Sequence, residues 1–472
     1  MKTDHNIRKV LLISPPYYKL FDIDQPQIMP LGPLYIASVL RNNGYSVRVY
    51  NPDLSTTRFP RGMYLHPTQF DYDKYKDALN NPNHYVWLNL KRVLNDYKPD
   101  IVGISIMSFT YDSAKKVAEI VKNFKNDCII VIGGAHPTIF TKETLLQENF
   151  DIAVRGEGEY TMLDLLDTIN SNEDLSSVRG VSFKENGSII NNQNRELIKD
   201  LDCIPFPARD LLIQEEFYPT VSFGRIITGR GCPFSCKYCA VNLVWRRSVR
   251  LRSPENVIDE MEQIYRLYNP IEFNFDDDTF NVSEERVEKI CDLIRERNIK
   301  TRWNCMLRLD NVSSNLLERM KAAGCARVTF GIESGDQDIL NRMNKKINLE
   351  QIRNAVKITK SVGINIWAHY IIGYPGETPE SLRNTINLIN ELDTEFVVQR
   401  FMPFPGTEVY NELKDEGKIL ANGWDDYNLV GCKDWKDKNA DDKEVFYIES
   451  IDKNILVREY KNLRKHSKCI VA

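Results

Sequence analysis

The segment Arg225-Ile226-Ile227-Thr228-Gly229-Arg230-Gly231-Cys232-Pro233-Phe234-Ser235-Cys236-Lys237-Tyr238-Cys239 joins a short apolar run to a loop with three cysteines within eight residues. The apolar run predicts a β-strand, and α/β barrels place their chemistry at the ends of such strands. Three thiolates can hold a [4Fe–4S] cluster and leave one of its four irons open to a further ligand. We therefore expect Cys232, Cys236 and Cys239 to bind an iron–sulfur cluster.

Two other interpretations of the three cysteines stay open. Structural zinc takes four ligands, and the histidines closest in sequence, His136 and His369, are far away, so a zinc site would need a distant fourth ligand. The three cysteines could also share a loop by chance. A disulfide is disfavoured because no signal peptide precedes residue 10, and thiols in a reducing compartment stay free.

A strand-then-helix rhythm extends onward from Arg225 and repeats six times. Six units are two short of a closed (β/α)8 barrel, so the sequence predicts a partial, open barrel over residues 225–410. The predicted strands are Arg225–Thr228, Glu272–Asp276, Thr301–Cys305, Arg327–Phe330, Ile366–Ile372 and Phe396–Phe401. The predicted helices are Pro254–Tyr268, Ser283–Arg297, Ser314–Ala323, Leu349–Val362 and Pro379–Leu392. Residues 411–472 lack this rhythm and predict a small extension with a helix at Ile451–Lys465.

The first 193 residues also alternate β-branched runs with helical patterns, which predicts a flavodoxin-like or Rossmann-like domain with a parallel sheet. Ser55–His84 interrupts the pattern and predicts an insertion, and residues 194–224, which contain Pro205-Phe206-Pro207, predict a linker. The expected strands are Val10–Ile13, Val47–Tyr50, Ile101–Ile106, Ile129–Ile132 and Ile152–Val154, followed by a hairpin around Glu185-Asn186-Gly187. The expected helices are Leu34–Asn42, Tyr111–Phe124 and Tyr160–Ile169.

The composition limits the classes of function. The chain has 472 residues, 42% of them hydrophobic and 27% charged, as in globular proteins of two or three domains. A net charge of -4 gives no indication of a positively charged surface for nucleic acid. No apolar run approaches the ~20 residues of a membrane span. We expect a cytoplasmic protein.

The spacing C-x3-C-x2-C, with Tyr238 before the last cysteine, resembles the radical S-adenosylmethionine superfamily. Further segments resembling that family follow in order at the later strand ends, over residues ~225–410. The resemblance implies that the three cysteines hold a [4Fe–4S] cluster whose open iron is chelated by S-adenosylmethionine. It further implies contacts with S-adenosylmethionine from Tyr238, Asp276, Asp277, Glu333, Ser334, Ile372, Gly373 and Met402.

Each of these segments also has a simpler explanation. Asp276–Asp278 could cap the helix that begins near Ser283. Glu333-Ser334 could be a loop carboxylate followed by an N-cap serine, and Gly373 could serve only as a turn residue.

The N-terminal half resembles the cobalamin-binding domain fused upstream of many radical enzymes of this type. Val131-Ile132-Gly133-Gly134-Ala135-His136 and Arg155-Gly156-Glu157-Gly158 carry much of that likeness. These segments follow successive strands, where open parallel sheets bind ligands. The resemblance implies cobalamin contacts from Ser14, Pro15, Pro16, Tyr17, Leu31, Gly32, Ser105, Ser108, Gly133, Gly134, His136, Gly156 and Glu157.

One departure from cobalamin proteins concerns the cobalt. Many of them carry a histidine ligand after the first strand, where this chain has Ser14-Pro15-Pro16-Tyr17. Cobalt would then lack that ligand, and His136 follows a different strand. The alternative is a flavodoxin-like domain that binds another ligand or none.

The resemblance implies methylation of an unactivated carbon, or phosphorus, of a small molecule, with electrons from an external flavodoxin-type or ferredoxin-type donor. A ring-closing or rearrangement enzyme with the same cofactors is the alternative. tRNA methylthiolation is disfavoured because residues 1–200 contain only Cys128, and a non-catalytic cofactor sensor is disfavoured because the S-adenosylmethionine segments look complete. The sequence assigns no catalytic side chain.

Overall fold

The computed structural model describes residues 7–23, 29–53, 72–421, 423–424, 427, 446 and 448–466. The chain forms two compact units, of which the first runs to Pro219 and the second begins at Thr220. Most of the predicted insertion Ser55–His84 lies outside the described residues, as do Cys432, Trp435 and Cys469. No described helix is both long enough and apolar enough to cross a membrane.

The first unit contains a seven-stranded sheet in the order β2-β1-β3-β4-β5-β6-β7. The first five strands are parallel, and the last two are antiparallel additions at one side. The succession of strands reverses direction between β1 and β3, which is the switch point where open parallel sheets bind ligands. The strands are β1 (Lys9–Ile13), β2 (Ser46–Tyr50), β3 (Ile101–Ser105), β4 (Ile129–Gly133), β5 (Ile152–Val154), β6 (Val181–Glu185) and β7 (Ser188–Asn191).

Seven helices accompany this sheet. They are α1 (Leu31–Asn42), α2 (Tyr72–Asn80), α3 (Tyr85–Tyr97), α4 (Tyr111–Phe124), α5 (Ala135–Ile139), α6 (Thr141–Leu145) and α7 (Glu159–Asn170). Helices α2 and α3 were not predicted, because the polar, proline-rich run before Tyr85 hid the periodicity that buries Trp87, Leu90 and Leu94. All five predicted parallel strands form within a residue or two of their expected bounds.

Residues 194–219 pack on the first unit. The Ala208 N–H donates to the Leu34 carbonyl oxygen at 3.1 Å, and the Ile213 N–H donates to the Val49 carbonyl oxygen at 2.8 Å. The domain boundaries expected at residues 193, 224 and 410 remain predictions.

The second unit contains a six-stranded, wholly parallel sheet in the order β15-β14-β13-β12-β11-β8. A separate antiparallel pair joins β9 and β10. The strands are β8 (Arg225–Ile226), β9 (Gly229–Arg230), β10 (Arg250–Leu251), β11 (Glu272–Phe275), β12 (Arg302–Leu307), β13 (Cys325–Glu333), β14 (Asn365–Ile372) and β15 (Glu395–Arg400).

The helices of the second unit begin at residues that suit their positions. Ser253 and Thr378 are N-caps followed by proline, and Gly363 ends α14 in the left-handed region. Ser283 caps α11, so the interpretation of Asp276–Asp278 as its cap is wrong. The helices are α8 (Thr220–Phe223), α9 (Val241–Trp245), α10 (Pro254–Tyr268), α11 (Glu284–Glu296), α12 (Ser314–Ala322), α13 (Gln337–Arg342), α14 (Leu349–Val362), α15 (Pro379–Leu392), α16 (Glu408–Asp415) and α17 (Lys453–His466).

Alternate side chains of the six-stranded sheet meet two different environments. On one face Phe275 stacks on Phe280, 4.8 Å between ring centroids, and packs against Trp303. The opposite face, which we call the inner face, carries polar side chains such as Asn274 and Asn304. The sheet therefore has one apolar face for packing and one polar face.

Candidate active site

The three-cysteine loop follows β9 and leads directly into α9. Cys232, Cys236 and Cys239 are free, half-buried thiols, and the Cys239 N–H donates to the Cys236 carbonyl oxygen at 3.2 Å. Burial raises the pKa of the Cys239 thiol to about 11; the Val241 amide opposes this, and the other two cysteines add to it. A metal bound here would displace the thiol protons.

Hydrogen bonds from other elements fix this loop. Asn344 Nδ2 donates to the Ser235 carbonyl oxygen at 2.8 Å. The Lys237 N–H donates to the Met343 carbonyl oxygen at 3.0 Å, and Lys237 Nζ forms an ion pair with Glu412 at 2.5 Å. The loop is therefore held by the segment after α13 and by α16.

The acidic segment after β11 is engaged with the start of the cysteine loop. Arg225 donates to both oxygens of Asp276, at 2.6 and 2.9 Å. Asp277 accepts the N–H groups of Thr228 at 2.6 Å and Gly229 at 3.0 Å, and burial raises its pKa to about 6. These bonds show Asp277 positioning the backbone that leads to the cysteines, while its predicted contact with S-adenosylmethionine stays a prediction.

A buried ionic group lies beside the cysteine loop. Glu333 accepts hydrogen bonds from Tyr238 Oη at 3.0 Å and from Lys345 Nζ at 2.8 Å. Burial acts to lower the pKa of Lys345, but Glu333 and then Cys236 outweigh it, and the net pKa is raised. Lys345 therefore keeps its positive charge next to the thiols.

The backbone around Glu333 is unusual. A β-bulge lies between Gly331 and Glu333 in the pairing of β13 with β14, and Glu333 has a φ of +69°. A side chain at Gly331 would collide with Glu333 Oε1 and approach Lys345 Nζ. Gly331 thus leaves the space that the Glu333–Lys345 ion pair occupies.

The fourth-strand and fifth-strand segments differ in what they offer a ligand. Ser334 is fully buried, and its hydroxyl lies 3.1 Å from that of Thr385 in α15. Gly373 has a φ of +80°, and its N–H donates to Glu377 at 2.5 Å. Burial raises the pKa of Glu377 to about 8. Ser334 is thus occupied within the fold, and Glu377 shapes the turn after Ile372.

Met402 lies near the same group. Tyr238 and Met402 pack, partly buried, against one apolar cluster, whose buried members are Ile339, Met343, Tyr374, Phe401, Val409, Leu413 and Phe446. The structure therefore brings Tyr238, Glu333 and Met402 around the cysteine loop.

In the first unit, a buried carboxylate holds the loop after β1. Asp53 accepts the N–H groups of Tyr17 at 2.9 Å and Lys19 at 3.0 Å. Burial raises the pKa of Asp53 to about 6. Asp53 thereby fixes the backbone at Tyr17 and Lys19, at the end of the Ser14–Tyr17 segment.

The ends of β3 and β4 meet at glycine. Ser105 pairs with Gly133 in the parallel register. Gly134 has a φ of +98°, and a Cβ there would lie 2.8 Å from the Ile106 carbonyl oxygen. Only glycine fits this close approach of two backbones.

His136 is turned into the first unit. It is completely buried, its Nδ1 lies 3.1 Å from Ser108 Oγ, and its ring packs against Tyr111 and Phe140. Burial lowers its pKa to about 4, which keeps the imidazole neutral. These contacts give His136 a packing role, and its predicted cobalamin contact stays a prediction.

The remaining predicted cobalamin residues lie on other loops of this unit. The Gly156 N–H donates to Thr138 Oγ1 at 2.9 Å, and Glu157 Oε2 accepts the Ile198 N–H at 2.7 Å. Leu31-Gly32 begins α1, with Leu31 buried and Gly32 exposed.

Two large apolar side chains after β3 are exposed. Met107 is 46% and Phe109 39% exposed, close to the switch point between β1 and β3. Exposed apolar side chains around a ligand crevice are typical of sites for bulky, partly apolar ligands.

Comparison with known proteins assigns both units. A model described as the Radical SAM superfamily matches residues 226–389, and one described as a B12 binding domain matches residues 82–166. An uncharacterized methyltransferase of Pyrococcus horikoshii is 34% identical over 346 residues, covering 72% of this chain and 75% of that protein.

The chain belongs to the cobalamin-dependent radical S-adenosylmethionine family. It is a radical S-adenosylmethionine enzyme, and the cofactors of this enzyme are a [4Fe–4S] cluster, S-adenosylmethionine and cobalamin. A second relative, cytidylyl-2-hydroxyethylphosphonate methyltransferase of Streptomyces wedmorensis, is 27% identical over 456 residues, 87% of this chain and 83% of that one.

A solved structure shares the fold of this radical S-adenosylmethionine enzyme. It is the radical S-adenosylmethionine methyltransferase TsrM from Kitasatospora setae, with a TM-score of 0.68 and 17% sequence identity, covering 87% of this chain and 76% of that one. At that identity the likeness concerns the fold alone.

The described residues fit the family's cofactors. Three half-buried thiols on one fixed loop suit an iron–sulfur cluster. No group of three or more His, Cys, Asp or Glu side chains in the described part of the chain is arranged to hold a single metal ion. The glycine-lined strand ends and the exposed Met107 and Phe109 suit a bulky corrin ring.

Sequence reasoning missed two residues of these sites. Lys345 follows α13 and reaches Glu333 only through the fold, so no local sequence pattern predicted their ion pair. Asp53 stands one residue before the undescribed stretch 54–71. An Asp shortly after a strand was its only signal.

Proposed function

We propose that this enzyme methylates an unactivated carbon, or phosphorus, of a small molecule. The main support is the buried group of Tyr238, Glu333 and Lys345 beside three fixed thiols. The other unit matches a B12 binding domain but lacks a histidine in the segment after its first strand. The two methyltransferase relatives, 34% identical over 72% of this chain and 27% identical over 87% of it, favour methyl transfer over the alternative with the same cofactors.

The roles of the protein side chains follow from their contacts. Cys232, Cys236 and Cys239 would hold the cluster, and Tyr238, with Glu333, would orient the adenosyl part of S-adenosylmethionine. Lys345 holds a positive charge beside Glu333, suited to the cofactor's carboxylate. When bound, the cluster supplies an electron to S-adenosylmethionine, and cobalamin carries the methyl group.

The other site assignments belong to the same proposal. For S-adenosylmethionine they are Asp276, Asp277, Ser334, Ile372, Gly373 and Met402. For cobalamin they are Ser14, Pro15, Pro16, Tyr17, Leu31, Gly32, Ser105, Ser108, Gly133, Gly134, His136, Gly156 and Glu157. The order β2-β1-β3-β4-β5 supports a flavodoxin-like first unit, and six parallel strands in chain order support a partial barrel in the second. The proposal also includes a cytoplasmic location and an external electron donor of the flavodoxin or ferredoxin type.

The test needs no knowledge of the substrate. The full chain, loaded anaerobically with cluster and cobalamin and reduced, is given S-adenosylmethionine with a labelled methyl group. We expect S-adenosylhomocysteine, label on the cobalamin and 5′-deoxyadenosine. Cys236→Ala should lose the 5′-deoxyadenosine, because one iron ligand is gone. Formation of 5′-deoxyadenosine without S-adenosylhomocysteine would instead favour ring closure or rearrangement.

A further inference from the structure

A row of polar side chains crosses the inner face of the six-stranded sheet. The parallel register aligns Arg225 with Asn274, Asn274 with Asn304, and Asn304 with Arg327. We call these four residues the inner row. Asn304 Nδ2 donates to Asn274 Oδ1 at 3.0 Å, which joins the two carboxamides at the centre of the row.

A β-bulge places Arg327 in this row. Trp303 pairs with Cys325, but the next pair is Asn304 with Arg327, so Ala326 is an extra residue on β13. Because side chains alternate along a strand, a regular strand would send residue 327 to the same face as Cys325. The extra residue reverses that alternation and aims the guanidinium at the inner face.

Three buried polar atoms on this face have no partner among the described residues. They are Asn304 Oδ1, Arg327 Nε and the indole Nε1 of Trp367. Asn304 and Trp367 are each 5% exposed, and Arg327 lies over the Trp367 ring at 4.6 Å. One unpartnered acceptor and two unpartnered donors thus lie on the same face of three neighbouring strands.

The two arginines of the inner row differ in their partners. Arg225 forms a bidentate ion pair with Asp276. Arg327 has no carboxylate partner in the described ranges, and its guanidinium lies over the Trp367 ring. Buried polar groups in native proteins are almost always paired, so these atoms point to a ligand that supplies the missing partners.

We propose that the inner row binds one end of the small-molecule substrate, an anionic group next to a hydroxyl or amine. The anion would accept from Arg327 Nε and Trp367 Nε1, and the neighbouring O–H or N–H would donate to Asn304 Oδ1. That this ligand is the substrate rests on the proposed function. Its chemistry follows from the three unpartnered atoms alone.

The inner row lies within reach of the group around Glu333. Arg327 and Gly331 are four residues apart on β13, which is roughly 13 Å at ~3.3 Å per residue. Between the two levels lie Thr329, half-buried, and Met306, which is 38% exposed. A substrate anchored at the inner row would therefore pass a mixed apolar and polar stretch before it reaches Glu333.

The test uses glycolate and hydroxymethylphosphonate as probes, each with a hydroxyl beside its anionic group. The cluster-loaded full chain is labelled with ¹⁵N at tryptophan, and the Trp367 indole N–H signal is assigned with Trp367→Phe. We expect a saturable shift of that signal as either probe is raised to roughly 50 mM, since ligands this small bind weakly. Which probe binds more tightly tells a carboxylate from a phosphonate. Acetate, without the hydroxyl, should bind more weakly, and uncharged glycolamide should leave the signal in place.

Three variants make the result specific. Arg327→Gln removes the charge and should weaken binding at least tenfold. Asn304→Asp places a carboxylate beside Arg327 and should abolish probe binding by occupying the guanidinium. Arg353→Gln, which breaks only an exposed pair with Glu391, should bind the probes like the unchanged protein.

Absence of a saturable shift in the unchanged protein would overturn the inference, as would equal titrations for the unchanged protein and Arg327→Gln. Iron content and 5′-deoxyadenosine formation are measured on the same samples. Their loss would count against the proposed function, whereas probe binding reports on the inner row by itself.

Discussion

At the scale of single residues, the ion pair of Lys345 with Glu333 is costly to break, because both side chains are buried. Lys345→Met would leave a buried carboxylate with Tyr238 as its one remaining partner in the described site. Breaking a buried pair from one side typically costs about 3–5 kcal/mol. We expect a lower free energy of unfolding, measured by urea unfolding, and weaker S-adenosylmethionine binding, measured by equilibrium titration.

The neighbouring Lys346 gives a matched control. It is exposed, whereas Lys345 is only 9% exposed, so Lys346→Met should change neither measurement by more than about 0.5 kcal/mol. Equal effects of the two substitutions would show that the ion pair with Glu333 has no special role.

The residue scale also marks the limit of sequence reasoning. The three-cysteine loop was recognisable from the sequence, because Cys232, Cys236 and Cys239 lie within eight residues; their role as cluster ligands stays a prediction. Lys345 was not recognisable, since its partner Glu333 is reached through the fold. The inward aim of Arg327 was equally hidden, because one inserted residue, Ala326, leaves no mark on the hydrophobic pattern.

At the scale of elements, the close approach of the backbones that follow β3 and β4 depends on Gly134. Gly134→Ala would force a Cβ to within 2.8 Å of the Ile106 carbonyl oxygen, in a backbone conformation that alanine disfavours. We expect a destabilisation of about 1–3 kcal/mol and weaker cobalamin binding, measured by unfolding and by the corrin absorption spectrum.

Gly32 provides the comparison for stability. It lies in α1 with nothing within 4 Å of an added Cβ, so Gly32→Ala should raise the free energy of unfolding by about 0.5–1 kcal/mol. A destabilised Gly32→Ala, or a Gly134→Ala as stable as the unchanged chain, would contradict the steric argument.

The turn between β14 and α15 should make stability depend on pH. Burial raises the pKa of Glu377 from 4.5 to about 8, so between these values the folded state holds a proton that the unfolded state releases. The resulting stabilisation is complete below pH 4.5 and is lost as the pH rises through about 8. Glu377→Gln keeps an acceptor for the Gly373 N–H and removes the titration.

We therefore expect Glu377→Gln to gain stability relative to the unchanged protein between about pH 6 and pH 9, on the order of 2 kcal/mol. Urea unfolding of both proteins at about pH 6 and pH 9 measures this difference in the free energy of unfolding. Glu380→Gln, at an exposed position in the first turn of α15, should show no such gain. A pH-independent difference for Glu377→Gln would mean that Glu377 is already ionised at neutral pH.

At the scale of the whole molecule, the two cofactor sites draw on different units. The proposed cobalamin residues belong to the first unit and the three cysteines to the second unit. Cys239→Ala should therefore lose iron and keep its cobalamin affinity, while Gly134→Ala should do the reverse. Iron analysis and cobalamin titration of both variants test this, and loss of both cofactors in either variant would show that the units do not load separately.

The broad organisation was predictable because β-branched runs and helix caps repeat regularly, as at Ser253-Pro254 and Thr378-Pro379. Two helices before Ile101 were not, because the segment preceding Tyr85 resembles a loop in composition. The parallel order of the six strands in the second unit follows the chain order, so short right-handed connections were enough to anticipate it.

Glu333 combines a left-handed backbone with a long, charged side chain, where glycine would meet no resistance. Such a conformation persists only while its surroundings hold it in place, here through Tyr238 and Lys345. Any molecule that adds a contact to this carboxylate also adds to the force keeping the peptide twisted. Occupancy and local stiffness should thus rise together, and amide exchange across residues 331–335 should slow when S-adenosylmethionine binds.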